Sequence, residues 1–243
     1  MSEILANAAN QVTGSNALAS ILGAETAALV ASKYGDEKAF AGVSSGSFLP
    51  RVQLCGSNST LCKKNKIGQG RFCVTNAKDT ILHDLSESFA CLVISWRPKA
   101  MRFAGSDTVA YYNPKSPFFN EVRAEADAKK QGSSYGPEYL VYLPEQKIFA
   151  TFYFMNPTMR REAPNMQGQV GKVAQVSSVF IEKEKFSWHG PAVTACNTPV
   201  SFPTGDELPA FQSELAAQRD RFNTPPEEEV EEVEAPGEAA RER

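Results

Sequence analysis

Short apolar runs follow one another between about residues 48 and 200 and leave few folds open to the chain. Each run has the length of a strand, is enriched in Val, Ile, Phe, Tyr and Thr, and is bounded by turn-forming residues. The runs are 71–75, 80–85, 89–96, 101–103, 108–112, 138–143, 147–155 and 176–188. The sequence therefore predicts a mainly β domain, built as a small barrel or as a sandwich with inserted helices.

The clearest hairpin spans residues 138–155, where Leu-Pro-Glu-Gln-Lys at 143–147 connects two apolar runs. Its second strand carries aromatic rings on both faces, because successive side chains of a strand point in opposite directions. Phe149 and Tyr153 share one face, and Phe152 lies on the other. One face can form the core, so the other is expected to meet a second layer or a ligand.

Composition divides the chain into three parts. Residues 1–46 are rich in Ala, Ser, Gly and Asn and predict a flexible or partly helical N-terminal arm. Residues 47–223 predict the β-rich domain with a C-terminal helix. Residues 224–243 begin Thr-Pro-Pro, are rich in Glu and lack aromatic residues, so they predict a disordered acidic tail. The predicted helices are 16–33, 120–130, 206–222 and a looser one at 167–179.

Composition and termini predict a protein that does not enter a membrane. The chain is 42% hydrophobic and 22% charged, and no stretch approaches the about 18 uninterrupted apolar residues of a membrane helix. The N-terminus lacks the basic segment and apolar run of a secretory signal. We therefore expect a cytoplasmic protein, in the host cytoplasm if a phage encodes it.

The five cysteines predict reduced thiols and neither a disulfide framework nor a metal site. Their number is odd, and the chain has no secretory signal. Their spacings include no close Cys-x2-Cys pair of the kind that holds structural zinc. Cys91 lies in an apolar run and is expected to be a small buried residue of a strand. No cofactor is expected.

The sequence predicts no enzyme and no catalytic residue. A Ser or Cys nucleophile needs a positioned base, and the chain has only two histidines, His83 and His189. His83 is expected to be an exposed strand residue, and His189, before Gly-Pro, a turn residue. The nucleophile elbow, the phosphate-cradling loop and the His-Glu-x-x-His motif are all missing from the sequence.

The net charge of −3 conceals a strong asymmetry along the chain. Residues 206–243 hold twelve acidic residues against four arginines, whereas residues 51–205 hold nineteen basic residues against twelve acidic ones. A basic core suggests polyanionic ligands, and the acidic segment then either competes for the same surface or recruits other proteins. The alternative is an acidic tail that serves solubility alone.

Basic and aromatic residues alternate at the predicted loops and strand ends, and this combination suits single-stranded nucleic acid. Cations follow the phosphate backbone, while bases stack on flat rings at about 1–3 kcal/mol per base. The predicted nucleic-acid-binding residues are Lys63, Lys64, Lys66, Arg71, Trp96, Arg97, Lys99, Arg102, Tyr111, Tyr112, Tyr153, Arg160 and Arg161.

A basic, aromatic β core followed by an acidic C-terminus resembles the phage-type single-stranded DNA-binding proteins built on an oligonucleotide-binding (OB) barrel. Three segments are similar to phage sequences of this kind: Phe48-Leu49-Pro50-Arg51, Tyr135-Gly136-Pro137-Glu138-Tyr139 and Arg160-Arg161-Glu162-Ala163-Pro164-Asn165. The resemblance concerns the organisation of residues 48–243. It implies an OB-like barrel with inserted helices that coats exposed strands without sequence preference during DNA replication, recombination or repair. It also implies that the ligand is single-stranded DNA and that replication or recombination proteins bind the acidic tail. A homo-oligomer is one assembly compatible with this organisation.

Two other classes of protein fit the same residues. A virion structural or assembly protein would use its aromatic residues to pack subunit against subunit. A nuclease or deaminase would turn over nucleic acid with an added divalent metal. Salt-sensitive binding of oligo-dT separates the first from a DNA-binding protein, and protection of single strands without turnover excludes the second.

Overall fold

The predicted strands assemble around one long central strand. The structure is a computed structural model and describes residues 11–12, 49–57, 59–76, 80–104 and 107–224. The strands are β1 (Gln11–Val12), β2 (Arg51–Leu54), β3 (Phe72–Thr75), β4 (Ile81–Ser86), β5 (Ser88–Ala104), β6 (Asp107–Tyr111), β7 (Ser133–Leu143), β8 (Ile148–Tyr153), β9 (Val173–Lys183), β10 (Phe186–Ala195) and β11 (Val200–Ser201). The helices are α1 (Thr60–Lys64), α2 (Pro117–Asp127), α3 (Pro157–Arg160), α4 (Ala163–Gln167) and α5 (Glu207–Asn223).

Nine of these strands form one mixed sheet, which confirms the mainly β prediction. The strand order is β10-β9-β5-β7-β8-β2-β3-β4, with β6 also paired to β5, and β1 pairs separately with β11. Only β2 and β8 are parallel among the described pairs. The hydrogen-bonded path is open, since its two end strands, β10 and β4, are not paired with each other in the described part of the chain.

Strand β5 reaches three neighbours because it is long and irregular. Its first residues pair with β9, its middle with β7 and its end with β6. The register with β7 shifts between Val93 and Ser95, as at a β-bulge, and such a bulge bends a strand and increases its twist. The runs predicted at 89–96 and 101–103 are therefore parts of one strand.

Two apolar cores lie on opposite faces of the sheet. Phe152 of β8 packs in one core with Phe72 and Phe89. Phe149 of the same strand faces the other core, where its ring stacks on Phe211 of α5 at a centroid distance of 6.0 Å. The prediction that the second face of this strand meets another layer is confirmed, and the layer is α5.

Most predicted elements are confirmed, and the exceptions have local causes. The hairpin of 138–155 is present as β7 and β8, and the helix of 206–222 is α5. The helix expected at 167–179 is wrong, because β9 begins at Val173 and pairs with β5 there. The run 176–188 is two strands that reverse at Glu184, whose φ is 55°. The helix predicted at 16–33 and all of the acidic tail after Thr224 lie outside the described residues.

The prediction that all cysteines are reduced is wrong for two of them. Cys55 and Cys62 form a disulfide, with their Cα atoms 5.8 Å apart. Helix α1 turns the chain back after β2, so residues seven positions apart come together. Cys73, Cys91 and Cys196 are free and buried. Within the described residues, every helix is too short or too polar to cross a lipid bilayer.

Candidate nucleic-acid interface

The predicted nucleic-acid-binding residues divide into a buried set and an exposed set. Arg97, Lys99 and Tyr112 belong to the first, with only 9%, 6% and 8% of their surfaces exposed. Arg97 Nε lies 2.7 Å from one carboxylate oxygen of Glu138, and Lys99 Nζ lies 3.0 Å from the other. These two cations therefore share one buried carboxylate and do not face solvent.

The two cations and Glu138 hold each other in their charged forms. Burial lowers the pKa of the Lys99 ammonium, but the attraction of Glu138 outweighs burial and raises that pKa. Burial raises the pKa of the Glu138 carboxyl, but Lys99 and Arg97 outweigh it and lower that pKa. Shifts of this kind arise when a buried charge is paired and hydrogen-bonded.

The buried cluster also attaches the end of α5 to the sheet. Arg97 Nη1 donates to the Phe222 carbonyl at 2.6 Å, and its guanidinium lies 4.3 Å from the Phe222 ring centroid. Ser95 donates to the Asn223 side chain at 2.9 Å. The Arg97 guanidinium also lies 4.0 Å from the ring centroid of Tyr112. Arg97 therefore positions the C-terminal helix.

Other predicted residues are engaged at the surface. Arg71 forms an ion pair with Asp84 at 3.0 Å, and Arg102 pairs with acids of α2. Tyr111 stacks on Phe118 at a centroid distance of 5.8 Å. The half-buried Tyr153 ring receives the ammonium of Lys99 at 4.0 Å. These contacts leave fewer donors and ring faces for a ligand than the sequence indicates.

Trp96 and Arg160 line a concave pocket of about 350 Å³. Its walls also include Pro98, Phe119, Arg123, Tyr135, Pro137 and Pro164. The guanidinium of Arg160 lies 4.0 Å from the Tyr135 ring centroid and donates to the Tyr135 and Met155 carbonyls. The pocket can accept a flat apolar ring. Arg161, which follows Arg160 in the chain, is exposed.

Lys63, Lys64 and Lys66 lie on what we call the lysine loop, residues 59–71. All three side chains are exposed and form no ion pair with any residue that the structure describes. The loop is closed by the Cys55–Cys62 disulfide and by the Gly70 amide, which donates to the Cys55 carbonyl at 2.8 Å. These lysines are therefore cations available to a ligand.

Sequence reasoning missed two exposed aromatic residues of the β9–β10 hairpin, which project from its opposite faces. Phe180 and Phe186 are 62% and 72% exposed, and Val179 is 39% exposed. Lys183 and Lys185 are exposed beside them. The alternation Phe-Ile-Glu-Lys-Glu-Lys-Phe over 180–186 was a signal for this hairpin, since charged residues at its centre separate two apolar runs.

His189 joins the hairpin to the lysine loop. It lies in β10 and not in a turn, contrary to the sequence prediction, and its ring packs edge-to-face on Phe180 at 5.3 Å. The His189 ring also lies against Gly70, since a Cβ added at Gly70 would lie 2.6 Å from the imidazole Cδ2. Gly70 has φ 81°, a conformation that glycine adopts at little cost. We call this combined area, from the lysine loop to the hairpin tip, the hairpin–loop surface.

Trp188 provides a polar group on the opposite face of the hairpin. Its ring, with Phe186, Lys183 and Glu184, lines a shallow cavity of about 440 Å³. The indole N–H is buried and has no acceptor among the described residues. Because a buried donor without a partner costs free energy, this N–H is suited to donate a hydrogen bond to an oxygen atom of a ligand.

No protein-family model, no curated protein and no solved structure matches the chain.

Proposed function

We propose that the protein binds single-stranded DNA on the hairpin–loop surface and coats exposed strands without sequence preference during replication, recombination or repair. The observation that carries the proposal is the contact series from Phe180 through His189 to Gly70. This series brings the exposed Phe180 ring close to the lysine loop, whose lysines form no ion pair with any residue that the structure describes. Both are required by a ligand that presents phosphates and stackable bases.

The proposed mechanism is physical and needs no cofactor. Phosphates displace counterions at Lys63, Lys64 and Lys66 of the lysine loop and at Lys183 and Lys185 of the hairpin. Bases stack on the exposed ring of Phe180, and the strand continues around the hairpin tip to the exposed ring of Phe186 on the other face. Every base has a flat face, so binding of this kind tolerates any sequence. Arg97, Lys99 and Tyr112 have no direct part in it, since they are buried with Glu138.

An OB-like arrangement of the sheet is part of the proposal. Strand β10 ends the strand order on one side and the loop between β2 and β3 lies near the other end, yet Gly70 and His189 are in contact. A contact between the two ends supports a strongly curved sheet in which a side loop and a hairpin flank one groove. Oligonucleotide-binding barrels place their ligands between such loops.

A titration of the full-length protein with fluorescent oligo-dT at two salt concentrations tests the function. We expect saturable binding whose affinity falls steeply with salt, at a log–log slope of about −0.7 for each phosphate contacted. A DNA-binding site made of surface lysines requires this dependence. Affinity that is undetectable, or that does not change with salt, would contradict the proposal.

Deleting residues 224–243 is expected to tighten oligo-dT binding at low salt. This segment carries eight glutamates and two arginines, and its negative charge competes with DNA for the basic surface. The difference should disappear at high salt because screening weakens long-range attraction. Unchanged or weaker binding by the deletion variant at low salt would count against competition by the tail.

A protein–protein interaction function is the second candidate, and the hairpin favours it too. Exposed Val179 and Phe186 add apolar surface to the Trp188 face of the hairpin, and β10 ends the strand order of the main sheet. Patches and strand edges of this kind can bind another protein subunit. Association that rises with protein concentration and persists at high salt, without oligo-dT binding, would favour this function.

A further inference from the structure

Three buried sulfur atoms meet beneath the lysine loop. The Sγ atoms of Cys55, Cys62 and Cys73 all lie within 4.8 Å of one another, and none of these residues is more than 3% exposed. Cys55 Sγ lies 3.9 Å from Cys73 Sγ. In a tetrahedral zinc site, Zn–S bonds of about 2.3 Å place two sulfurs about 3.8 Å apart. The separation of the Cys55 and Cys73 sulfurs therefore already matches the sulfur–sulfur distance of such a site.

The backbone holds the three cysteines together independently of the disulfide. The Cys55 amide donates to the Arg71 carbonyl at 2.8 Å, next to the pairing of β2 with β3 that carries Cys73. The Ile67 amide donates to the Cys62 carbonyl at 2.9 Å and returns the loop to the cluster. Reduction of the Cys55–Cys62 bond therefore leaves three thiols in one apolar site.

Cys73 lies in the same apolar site as the disulfide. Ile67 and Ile81 pack against the three cysteines, and the Cys73 side chain is fully buried. A thiol that coordinates a metal ion loses its proton, so a bound cation would hold the three sulfurs as thiolates.

We propose that reduction of the Cys55–Cys62 disulfide creates a metal site in which Cys55, Cys62 and Cys73 bind one zinc ion. A two-electron reductant, a dithiol or a phosphine, supplies the electrons that break the S–S bond, and two protons convert the sulfurs to thiols. Binding of the cation then releases the three thiol protons to solvent. Thiolate sulfur selects zinc over magnesium or calcium, and water occupies the fourth position.

Either state of the site closes the lysine loop. The disulfide links the loop to the end of β2 under oxidising conditions, and the metal links it to β2 and β3 under reducing conditions. Lys63 follows Cys62 directly, so the metal fixes the chain that carries the exposed cations. The site itself does not depend on DNA binding, and it is tested without DNA.

The test measures zinc bound to full-length protein reduced with a phosphine. We expect the reduced wild-type protein to retain one zinc ion through desalting, and the oxidised protein to retain none. Cys73→Ser should weaken zinc binding at least about 100-fold, since loss of a second-shell contact alone costs about 10–100-fold. Cys196→Ser is the matched control, because Cys196 is a buried free thiol outside the cluster and should leave binding unchanged.

Two results would overturn the proposal. One is reduced wild-type protein that retains no zinc, and the other is a folded Cys73→Ser variant that binds zinc as tightly as the wild type. Cobalt binding to the reduced wild-type protein provides a measurement that needs no variant to fold. A sulfur-to-cobalt charge-transfer band supports thiolate ligands, and cobalt binding without that band contradicts them.

Discussion

Replacing Glu138 with glutamine is expected to destabilise the protein by about 3–5 kcal/mol, the usual cost of removing one partner of a buried ion pair. The substitution keeps the volume of the side chain and removes its charge, so Arg97 and Lys99 remain buried without a shared carboxylate. Lys99 then loses its main cause of a raised pKa and must be buried uncharged or draw in water. The end of α5 loosens as well, because Arg97 binds the Phe222 carbonyl.

Urea unfolding followed by circular dichroism measures this change. The matched control is Glu207→Gln, which removes the charge of an exposed carboxylate. The ion pair of Glu207 with Lys147 is 3.7 Å long, and both side chains are exposed. An exposed pair contributes about 0–1 kcal/mol, so the control should unfold close to the wild type. Equal free energies of unfolding for the two variants would show that the buried cluster does not stabilise the fold as inferred.

Replacing both Phe180 and Phe186 with alanine is expected to weaken oligo-dT binding by about 30-fold or more. Stacking contributes about 1–3 kcal/mol per base, and two rings at the lower value correspond to that factor. Both rings are largely exposed, so their removal costs little core packing. The dependence of affinity on salt should remain, because the lysines that contact phosphates are unchanged.

Fluorescence titration at one salt concentration measures the loss, with Phe103→Ala as the matched control. Phe103 is also an exposed aromatic residue, at 49%, but it lies near the end of β5 and outside the hairpin–loop surface. The control should bind oligo-dT like the wild type. If Phe103→Ala weakens binding as much as the double variant does, or if neither does, the hairpin is not the stacking surface.

Strands and helices were largely predictable, because their signals are local. The alternation in β8 and the spacing of Leu208, Phe211 and Leu215 in α5 are each contained in a few consecutive residues. The failure at 167–179 has the same basis. A short segment with glycines is compatible with a loose helix or with a turn before a strand. Pairing with β5 makes the residues from Val173 onward a strand.

Charged and aromatic residues could be identified as candidates, but not sorted by role. Arg97 and Lys63 are both basic residues that the sequence marks as candidates. Arg97 is buried in the structure, whereas Lys63 is exposed to solvent. The difference comes from Glu138, which lies 41 positions after Arg97 and reaches it only through the pairing of β5 with β7. No local pattern reports such a partner.

The amino-acid order alone determined that the protein is rich in β-strands, that its basic residues precede an acidic segment, and that aromatic residues lie on both faces of β8. The tertiary structure decided which cations stay exposed, which rings project at the hairpin, and which cysteines meet. The physical reason is the separation along the chain over which each effect acts. Propensity and periodicity act over a few neighbouring residues, whereas burial and pairing depend on residues that are distant in the chain and adjacent only after folding.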